Sequence, residues 1–460
     1  MLLDFAYYTD AVIIFYFLAV NICYILLLFY SVPDILEKYQ EMAIADIGLF
    51  VGSKINPPVT VIISAFNEEN CIINTVLSTL RSDYRNLQIC IVNDGSTDKT
   101  LENLIAAFDF FQITSVIPQK IKTQGVVTGY YISETFPNLV LIDKQKSGKA
   151  DSLNTAINAS NTPFFITVDA DTIIDPQAIS ILVYSTLSKP HTIAQGGSIY
   201  VLNGCKHENG ALSDARLSFT PIIGLQACEY LRAFLFGRTG WRKFGGPLIL
   251  SGAFTLLERQ AVMDAGGYKI DSLGEDMEII LNMHEKMRSN HHPYHIGYTF
   301  AASAWTNVPE DTGALWRQRR RWHQGLIDSL ISHNKLFFNP TYGPVGMFSY
   351  PFQFLVEFLG PFVELFGYIT VCVFWYFGLL NAEFAILFFI ASWGMATVLT
   401  LGSALISFLS FNKYKRATDL IKMLMFVTLE NFGYRQMLVI CRVVATLQYF
   451  LGDSKRKWGK

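Results

Sequence analysis

Phe164-Phe165-Ile166-Thr167-Val168-Asp169-Ala170-Asp171 is the stretch on which the reading of this chain turns. An uncharged run of β-branched and aromatic residues reads as a buried strand. It ends abruptly on two carboxylates one residue apart. Such a pair at a strand end can share a hard divalent cation, or one can take the metal and the other a sugar. Mg²⁺ or Mn²⁺ on a nucleoside diphosphate needs few protein ligands, because phosphate oxygens and water complete its shell. A solvated acidic loop would show the same residues, and Asp-x-Asp occurs by chance in many proteins. The position directly after an uncharged strand favours the metal.

Outward from that strand, residues 57–277 alternate between short apolar runs and helical spacing. Residues 59–64 and 87–92 predict strands, as do 139–142 and 164–168. Residues 68–80, with Asn67 as cap, predict a helix, as do 98–108 and 150–159. Strand-helix-strand in this rhythm means a mostly parallel sheet covered on both faces. Ligands in such sheets bind at the carboxyl ends of the strands, where Ser64, Asn93 and Asp169 fall.

Four further segments carry chemistry. Asn93-Asp94-Gly95-Ser96 lies between a strand and a helix. Asp94 can accept from a base N–H or a ribose hydroxyl, although a turn with a helix cap is the simpler reading of that segment alone. Ser147-Gly148-Lys149 opens a helix and offers Lys149 to a phosphate or a base edge; otherwise it is a surface lysine. The Gly-x₄-Gly-Lys spacing of a nucleotide-hydrolysing loop is absent. Gly274-Glu275-Asp276 begins an apolar helix, so Asp276 is either a dipole-favoured cap or a general base for a sugar hydroxyl. Gln318-Arg319-Arg320-Arg321-Trp322 follows Trp316-Arg317. Gln318 and Trp322 are four apart on one helix face. An indole suits a sugar ring and an arginine a departing diphosphate, while a cationic membrane-surface helix would also look like this.

Of 460 residues, 51% are hydrophobic and only 16% charged, against about 25% charged in ordinary soluble domains. The deficit sits at the two ends. Residues 11–30 lack any charge over about the length a bilayer core requires. No basic segment precedes them and no small-residue cleavage site follows, so they read as a span and not a signal peptide. Residues 31–56 read as a linker. Residues 360–380 and 384–411 read as two more spans. Residues 420–451, interrupted by Lys422, Glu430, Arg435 and Arg442, read as interfacial or further membrane helices. The basic clusters at 413–416 and in the tail 452–460 place those segments, and the catalytic middle, in the cytoplasm, with residues 1–10 outside. A net charge of −2 argues against nucleic acid as a partner. Seven scattered cysteines without a Cys-x-x-Cys pair read as reduced thiols. His284, His291, His292 and His295 lack metal-protease spacing.

The ordered set of motifs, from residue 59 to Trp322, resembles the family-2 inverting glycosyltransferases. The resemblance is to their membrane-bound synthases of cellulose, chitin, hyaluronan and, most nearly, poly-N-acetylglucosamine type. It implies the GT-A fold, an α/β Rossmann-like mixed sheet over residues 57–310, with flanking transmembrane and interfacial helices. Residues 311–359 would carry the Gln-x-x-Arg-Trp segment. It implies a multi-pass protein of the cell membrane, the bacterial inner membrane, with Mg²⁺ or Mn²⁺ as cofactor. The resemblance assigns Phe66, Glu68 and Asp94 to uridine, Lys149 to the nucleotide, Asp169 and Asp171 to diphosphate and metal, and Asp276 to the base. Gln318, Arg321 and Trp322 fall at the acceptor and pyrophosphate edge, and Ser251-Gly252-Ala253 along the acceptor tunnel. Ala65 and Phe66 stand where proline and tyrosine are common, which removes a hydroxyl contact. No cellulose-type gating segment or cyclic-dinucleotide domain is recognisable, so processivity and export stay open.

The activity implied is transfer from a UDP-sugar to a growing saccharide chain by one displacement that inverts the anomeric centre. The alternative is addition of one sugar to a membrane lipid. A transporter or scaffold is disfavoured, because the acidic motif residues lie in the middle and not in the spans.

Overall fold

The computed structural model describes residues 2–44, 47–52, 56–394, 397–398, 400–402, 413–414 and 416–452. The strands are β1 (Val59–Ala65), β2 (Leu87–Asp94), β3 (Phe110–Ile113), β4 (Val127–Ser133), β5 (Leu139–Lys144) and β6 (Phe164–Asp169). They continue with β7 (Ile173–Ile174), β8 (Thr192–Val201), β9 (Lys206–Glu208), β10 (Ala211–Asp214), β11 (Phe254–Glu258) and β12 (His295–Thr306). Ten of them form one mixed sheet in the order β3-β4-β5-β2-β1-β6-β11-β8-β12-β7, and β9 and β10 make a separate hairpin. At its centre β5, β2, β1 and β6 run parallel.

Register places the chemistry. Ala65 pairs with Asn93, Ser64 with Asp169, Asn93 with Asp143 and Asp94 with Lys144. Every motif that ends one of these strands therefore lies on the same sheet edge. β1 neighbours β2 on one side and β6 on the other, so the strand order reverses beside Asp169, where ligands enter such sheets.

Successive residues of a strand face opposite sides. Val59, Val61 and Ile63 bury against helices Ile72–Leu80, Thr100–Ala107 and Ala178–Leu187. Ile62, with Cys90 and Val92 of β2, buries against helices Lys149–Ala159 and Glu275–Ser289. Coverage on both faces explains why β1 is apolar throughout rather than alternating. The helix expected from residue 68 begins at Ile72. Asn67 is not its cap: it has φ +57° and its carbonyl oxygen accepts from the Thr97 N–H at 2.8 Å, tying the loop after β1 to the loop after β2.

The first helix runs Leu2–Ile44, well past residue 30, and helix Ile47–Gly52 follows, so most of the segment read as a linker is helical. Two described helices are long and apolar enough to cross a membrane, Tyr7–Pro33 and Val345–Tyr376. Pro361 sits in the first turn of helix Gly360–Tyr376, where its missing N–H leaves no bond unmade. Helix Ala382–Phe389 and the turn Ile390–Gly394 open the stretch 384–411; residues 403–411 lie outside the described residues, as does the basic tail from 453. Ile13 and Phe17 of the first helix pack on Phe384 and Phe388, with the Phe17 and Phe388 rings edge to face at 5.2 Å. The stretch 420–451 is two helices, Ala417–Leu429 and Tyr434–Phe450, with Gly433 at φ +84° between them.

Helix Thr312–Ser332, which carries Gln318 and Trp322, is held from two sides. Helix Tyr434–Phe450 binds one flank through Thr446 to His323 at 3.0 Å and Tyr449 to Asp328 at 3.2 Å. On the other flank the backbone meets the loop before Asp276. A Cβ added at Gly325 would stand 2.9 Å from Gly274 Cα, its N and the Leu273 carbonyl oxygen. Backbone atoms cannot give way as a side-chain tip can. Gly325→Ala is expected to destabilise the fold by about 1–3 kcal/mol and to lower transfer more than nucleotide affinity, because the two helices of the site are forced apart. Thermal unfolding and single-turnover rates on one preparation check this; unchanged values for both would show that the crossing is not tight.

Candidate active site

Lys144, at the end of β5, is fully enclosed. Its ammonium lies 2.6 Å from Asp94 and 3.0 Å from Asp151, and it also reaches the Ser147 hydroxyl. Asp94 accepts from the Ser147 N–H at 3.0 Å and the Gly148 N–H at 2.8 Å, and is 4% exposed. Asp151 accepts from the Gln124 and Gly125 N–H groups at 2.6 and 3.1 Å. Burial would raise the Asp151 carboxyl, but the bonds from Ser147, Gln124 and Lys144 hold it below the usual range. The Asp94 oxygens thus face Lys144 and the turn that launches Lys149. Lys144 was missed in the sequence, where nothing separates it from a surface lysine.

Gly148 has φ +102°, a conformation that favours glycine, and delivers Lys149 at the first position of helix Lys149–Ala159. The Lys149 ammonium sits 2.5 Å from Asp169 and 3.4 Å from Glu275. Burial acts to lower its pKa, but Asp169 and then Glu275 overcome it and hold it well above the lysine range. Lys149 thus bridges the strand-end carboxylates to the helix that bears Asp276.

Asp171 accepts from Thr306 at 3.0 Å; burial first, then Asp169, raises its carboxyl to about 6. Burial, followed by Asp171, Asp169 and Asp98, raises Glu68 to about 7. Two strand-end carboxylates, with a third acid feeling their charge, carry negative charge that Lys149 only partly offsets. That is the environment a dication relieves. No group of three His, Cys, Asp or Glu able to hold a metal occurs among the described residues, so the protein offers the pair Asp169 and Asp171, and a shell would be completed from outside it. The residues fit Mg²⁺ or Mn²⁺ bound together with a phosphorylated ligand. Buried His284 bonds Tyr294 at 2.8 Å and the Pro247 carbonyl at 3.1 Å.

Phe66, just beyond β1, is half-buried with the Lys146 ammonium 3.8 Å from its ring centroid. Lys146 was also missed, although it lies one residue before the Ser-Gly-Lys motif.

Asp276 is half-buried in the first turn of helix Glu275–Ser289, with Oδ1 accepting from the Met277 N–H at 2.9 Å. Burial first and Glu275 second raise its carboxyl to about 6, against Lys149 and Arg238. Gly252 lies between the two functional groups: a Cβ there would stand 3.0 Å from the Lys149 ammonium and 3.6 Å from Asp276 Cβ. The Ser251 hydroxyl turns back to the Ala253 N–H at 3.4 Å.

A cavity of ≈ 520 Å³ is walled by the first helix, helices Thr312–Ser332 and Tyr434–Phe450, and residues 349–364. Its lining from the 247–253 segment is Pro247, Leu248 and Ile249. Trp322 lines it and is 43% exposed, with the Arg319 guanidinium 4.3 Å from its ring centroid. Arg319 bonds Glu229 at 2.9 Å, and Tyr434 bonds the same oxygen at 2.8 Å. Burial would raise Glu229, and Arg319 reverses the shift. The Gln318 carbonyl oxygen is buried without a protein partner among the described residues. Arg321 is exposed on the same helix.

The description Glycosyltransferase like family 2 matches residues 57–325. The poly-beta-1,6-N-acetyl-D-glucosamine synthase of Staphylococcus aureus (strain MSSA476) is 27% identical over 275 residues, 59% of this chain and 55% of that protein. Its Staphylococcus epidermidis counterpart is 26% identical over the same shares. The chain thus matches about half the length of these relatives. Among solved structures, a mannosyltransferase from Pyrobaculum calidifontis in complex with GDP-Man and Mn²⁺ is 16% identical. It aligns over 90% of this chain and 99% of that one with a TM-score of 0.49. Glucosyl-3-phosphoglycerate synthase from Mycobacterium tuberculosis, with Mn²⁺, UDP and phosphoglyceric acid, is 16% identical with a TM-score of 0.38 over 62% and 82%. The family match spans the whole strand-end cluster, Asp276 and Trp322, and by it this chain belongs to glycosyltransferase family 2.

Proposed function

We propose that this protein is a membrane-bound inverting glycosyltransferase that moves a sugar from a UDP-sugar to a growing, β-linked saccharide chain. The observation that carries this is the bridge that Lys149 makes from Asp169, at the strand end with Asp171, to Glu275, the neighbour of Asp276, in a protein that also holds a cavity lined by Trp322. The cavity falls within the roughly 300–1,000 Å³ of sites that enclose a sizeable ligand. The names of the Staphylococcus relatives support a polymer, and N-acetylglucosamine as the sugar. The apolar helices Tyr7–Pro33 and Val345–Tyr376 support a membrane setting, and a UDP-sugar donor, made in the cytoplasm, puts the sheet on that side.

In this mechanism Phe66 and Lys146 flank the base, and Lys149 meets the diphosphate. Asp169 and Asp171 would hold Mg²⁺ or Mn²⁺, which supplies charge neutralisation to the diphosphate. Asp276 takes the proton of the acceptor hydroxyl as that oxygen attacks the anomeric carbon. The bond to the diphosphate breaks on the opposite face, and UDP leaves against Lys149 and Arg321. Burial keeps the base's pKa near working pH, where a general base is most effective. Trp322 gives the acceptor ring a flat surface beside the attack position.

Four outcomes follow. A base must be ionised to work, so a carboxyl raised to about 6 predicts that kcat/KM falls roughly tenfold per pH unit below that value. Asp276→Asn should lose at least ~10²-fold in transfer and the associated pH limb, while UDP binding measured by calorimetry persists; a variant as fast as wild type would remove Asp276 from the chemistry. Chelation should abolish UDP release, and Mg²⁺ or Mn²⁺ should restore it, whereas full turnover in excess chelator would exclude the Asp169–Asp171 metal. Trp322→Ala should slow transfer to a chain acceptor with little change in UDP affinity or extracted yield. Normal transfer per folded molecule, with poor yield, would make the indole a membrane anchor instead.

A further inference from the structure

Tyr414, in the basic segment that follows the apolar stretch 384–411, is buried against β8 and β12. Its ring meets Trp305 edge to face at 5.7 Å and Tyr200 at 6.3 Å, and its hydroxyl donates to the Val201 carbonyl at 3.4 Å. Beside it the Lys413 ammonium lies 2.5 Å from one oxygen of Asp175, and the indole N–H of buried Trp305 donates to the other at 2.8 Å. Asp175 closes a short segment that starts at Asp171. Between them runs β7, two residues long and at the edge of the sheet, paired to β12 at Ala304 and Trp305. Thr306, the next residue of β12, donates its hydroxyl to Asp171 at 3.0 Å. Two consecutive residues of β12 thus hold the two ends of segment 171–175. So short an edge strand makes few ladder bonds, and its register depends on the groups that clasp its ends.

We propose that Lys413 and Tyr414 are positioning residues for the metal pair: by fixing Asp175 and Trp305 they keep β7 in register with β12, and so hold the Asp171 carboxylate on Thr306. This rests on the reading of Asp169 and Asp171 as the pair that holds Mg²⁺ or Mn²⁺. Groups one bond removed from a metal ligand set its orientation, and their loss costs about 10–100-fold in metal affinity or activity. The role is distinct from docking of the segment as such. Arg416 docks it too, through Asp214 at 2.9 Å, but on β10 and not on β7 or β12.

The test measures, on the full-length protein in detergent, the Mn²⁺ concentration that half-saturates UDP binding, by calorimetry and by the paramagnetic resonance of free Mn²⁺. Thr306→Val should raise it ~10–100-fold. Lys413→Met and Tyr414→Ala should each raise it at least ~10-fold, the low end of that range. Lys413→Arg, which keeps the charge, should stay near wild type. Because these residues act through one bond, Thr306→Val combined with Lys413→Met should be no worse than Thr306→Val alone. Arg416→Met should leave the requirement unchanged. UDP binding at saturating Mn²⁺ shows that each variant is folded, and Lys413→Met decides the matter should Tyr414→Ala fail to fold. A wild-type Mn²⁺ requirement in Lys413→Met overturns the proposal. So does a double variant in which the two losses multiply, or an Arg416→Met as impaired as Lys413→Met. UDP binding by wild type that is equal with and without Mn²⁺ defeats the metal reading itself, and the proposal with it. A metal requirement that these variants leave alone defeats the proposal only.

Discussion

The enclosed Lys144 ammonium, set between Asp94 and Asp151, is the contact on which the donor half of the site depends. Removing one member of a buried ion cluster leaves the others charged and unpaired, at a cost of about 3–5 kcal/mol. The cluster does more than hold the sheet edge together. Asp94 fixes the N–H groups of Ser147 and Gly148, and Gly148 at positive φ then aims Lys149 across the sheet to Asp169. β2, β5 and the helix after β5 are thereby locked into one arrangement before any ligand arrives. Preorganisation of this kind lets charged groups act on a reacting centre without rearranging at the moment of reaction.

Lys149 then joins two halves built from distant parts of the chain. One half is the strand-end pair Asp169 and Asp171; the other is Glu275 and Asp276, at the start of a helix. That helix start is itself pinned by the Gly274–Gly325 crossing to the helix of Gln318 and Trp322. The electrostatics follow from this layout. Acids exceed the one bridging cation, so Glu68, Asp171 and Asp276 are all raised. A dication with a diphosphate would favour ionisation of the first two, while Asp276 is set apart from them by Lys149. Acids in one pocket thus stand in two separate groups, one on each side of Lys149.

Much of this was legible in the residues themselves. The strands that end at Asn93, Asp143 and Asp169 announce themselves as uncharged runs, because a sheet covered on both faces must bury both sides of each strand. The five motifs lie in chain order, and the register brings the first three of them to one edge. Other features had no local signal. The partners of Asp94 are Lys144 and the turn at Ser147; its burial arises from β5, fifty residues later, and no window around Asp94 contains it. Asn67 looked like a helix cap, but a side chain that can bond either its own helix or a neighbouring loop is decided by tertiary packing. β8, β11 and β12 complete the sheet, and their pairing is long-range.

The central claim is a single displacement at the anomeric carbon, with Asp276 as base and the diphosphate as leaving group. The anomeric configuration of the first bond formed tests it most directly. Product made from an α-linked UDP-sugar should show, by proton NMR coupling at the new anomeric centre, a β linkage from the first turnover onward. An α linkage would contradict the account, because retention requires a second displacement or front-face attack that Asp276 alone does not support.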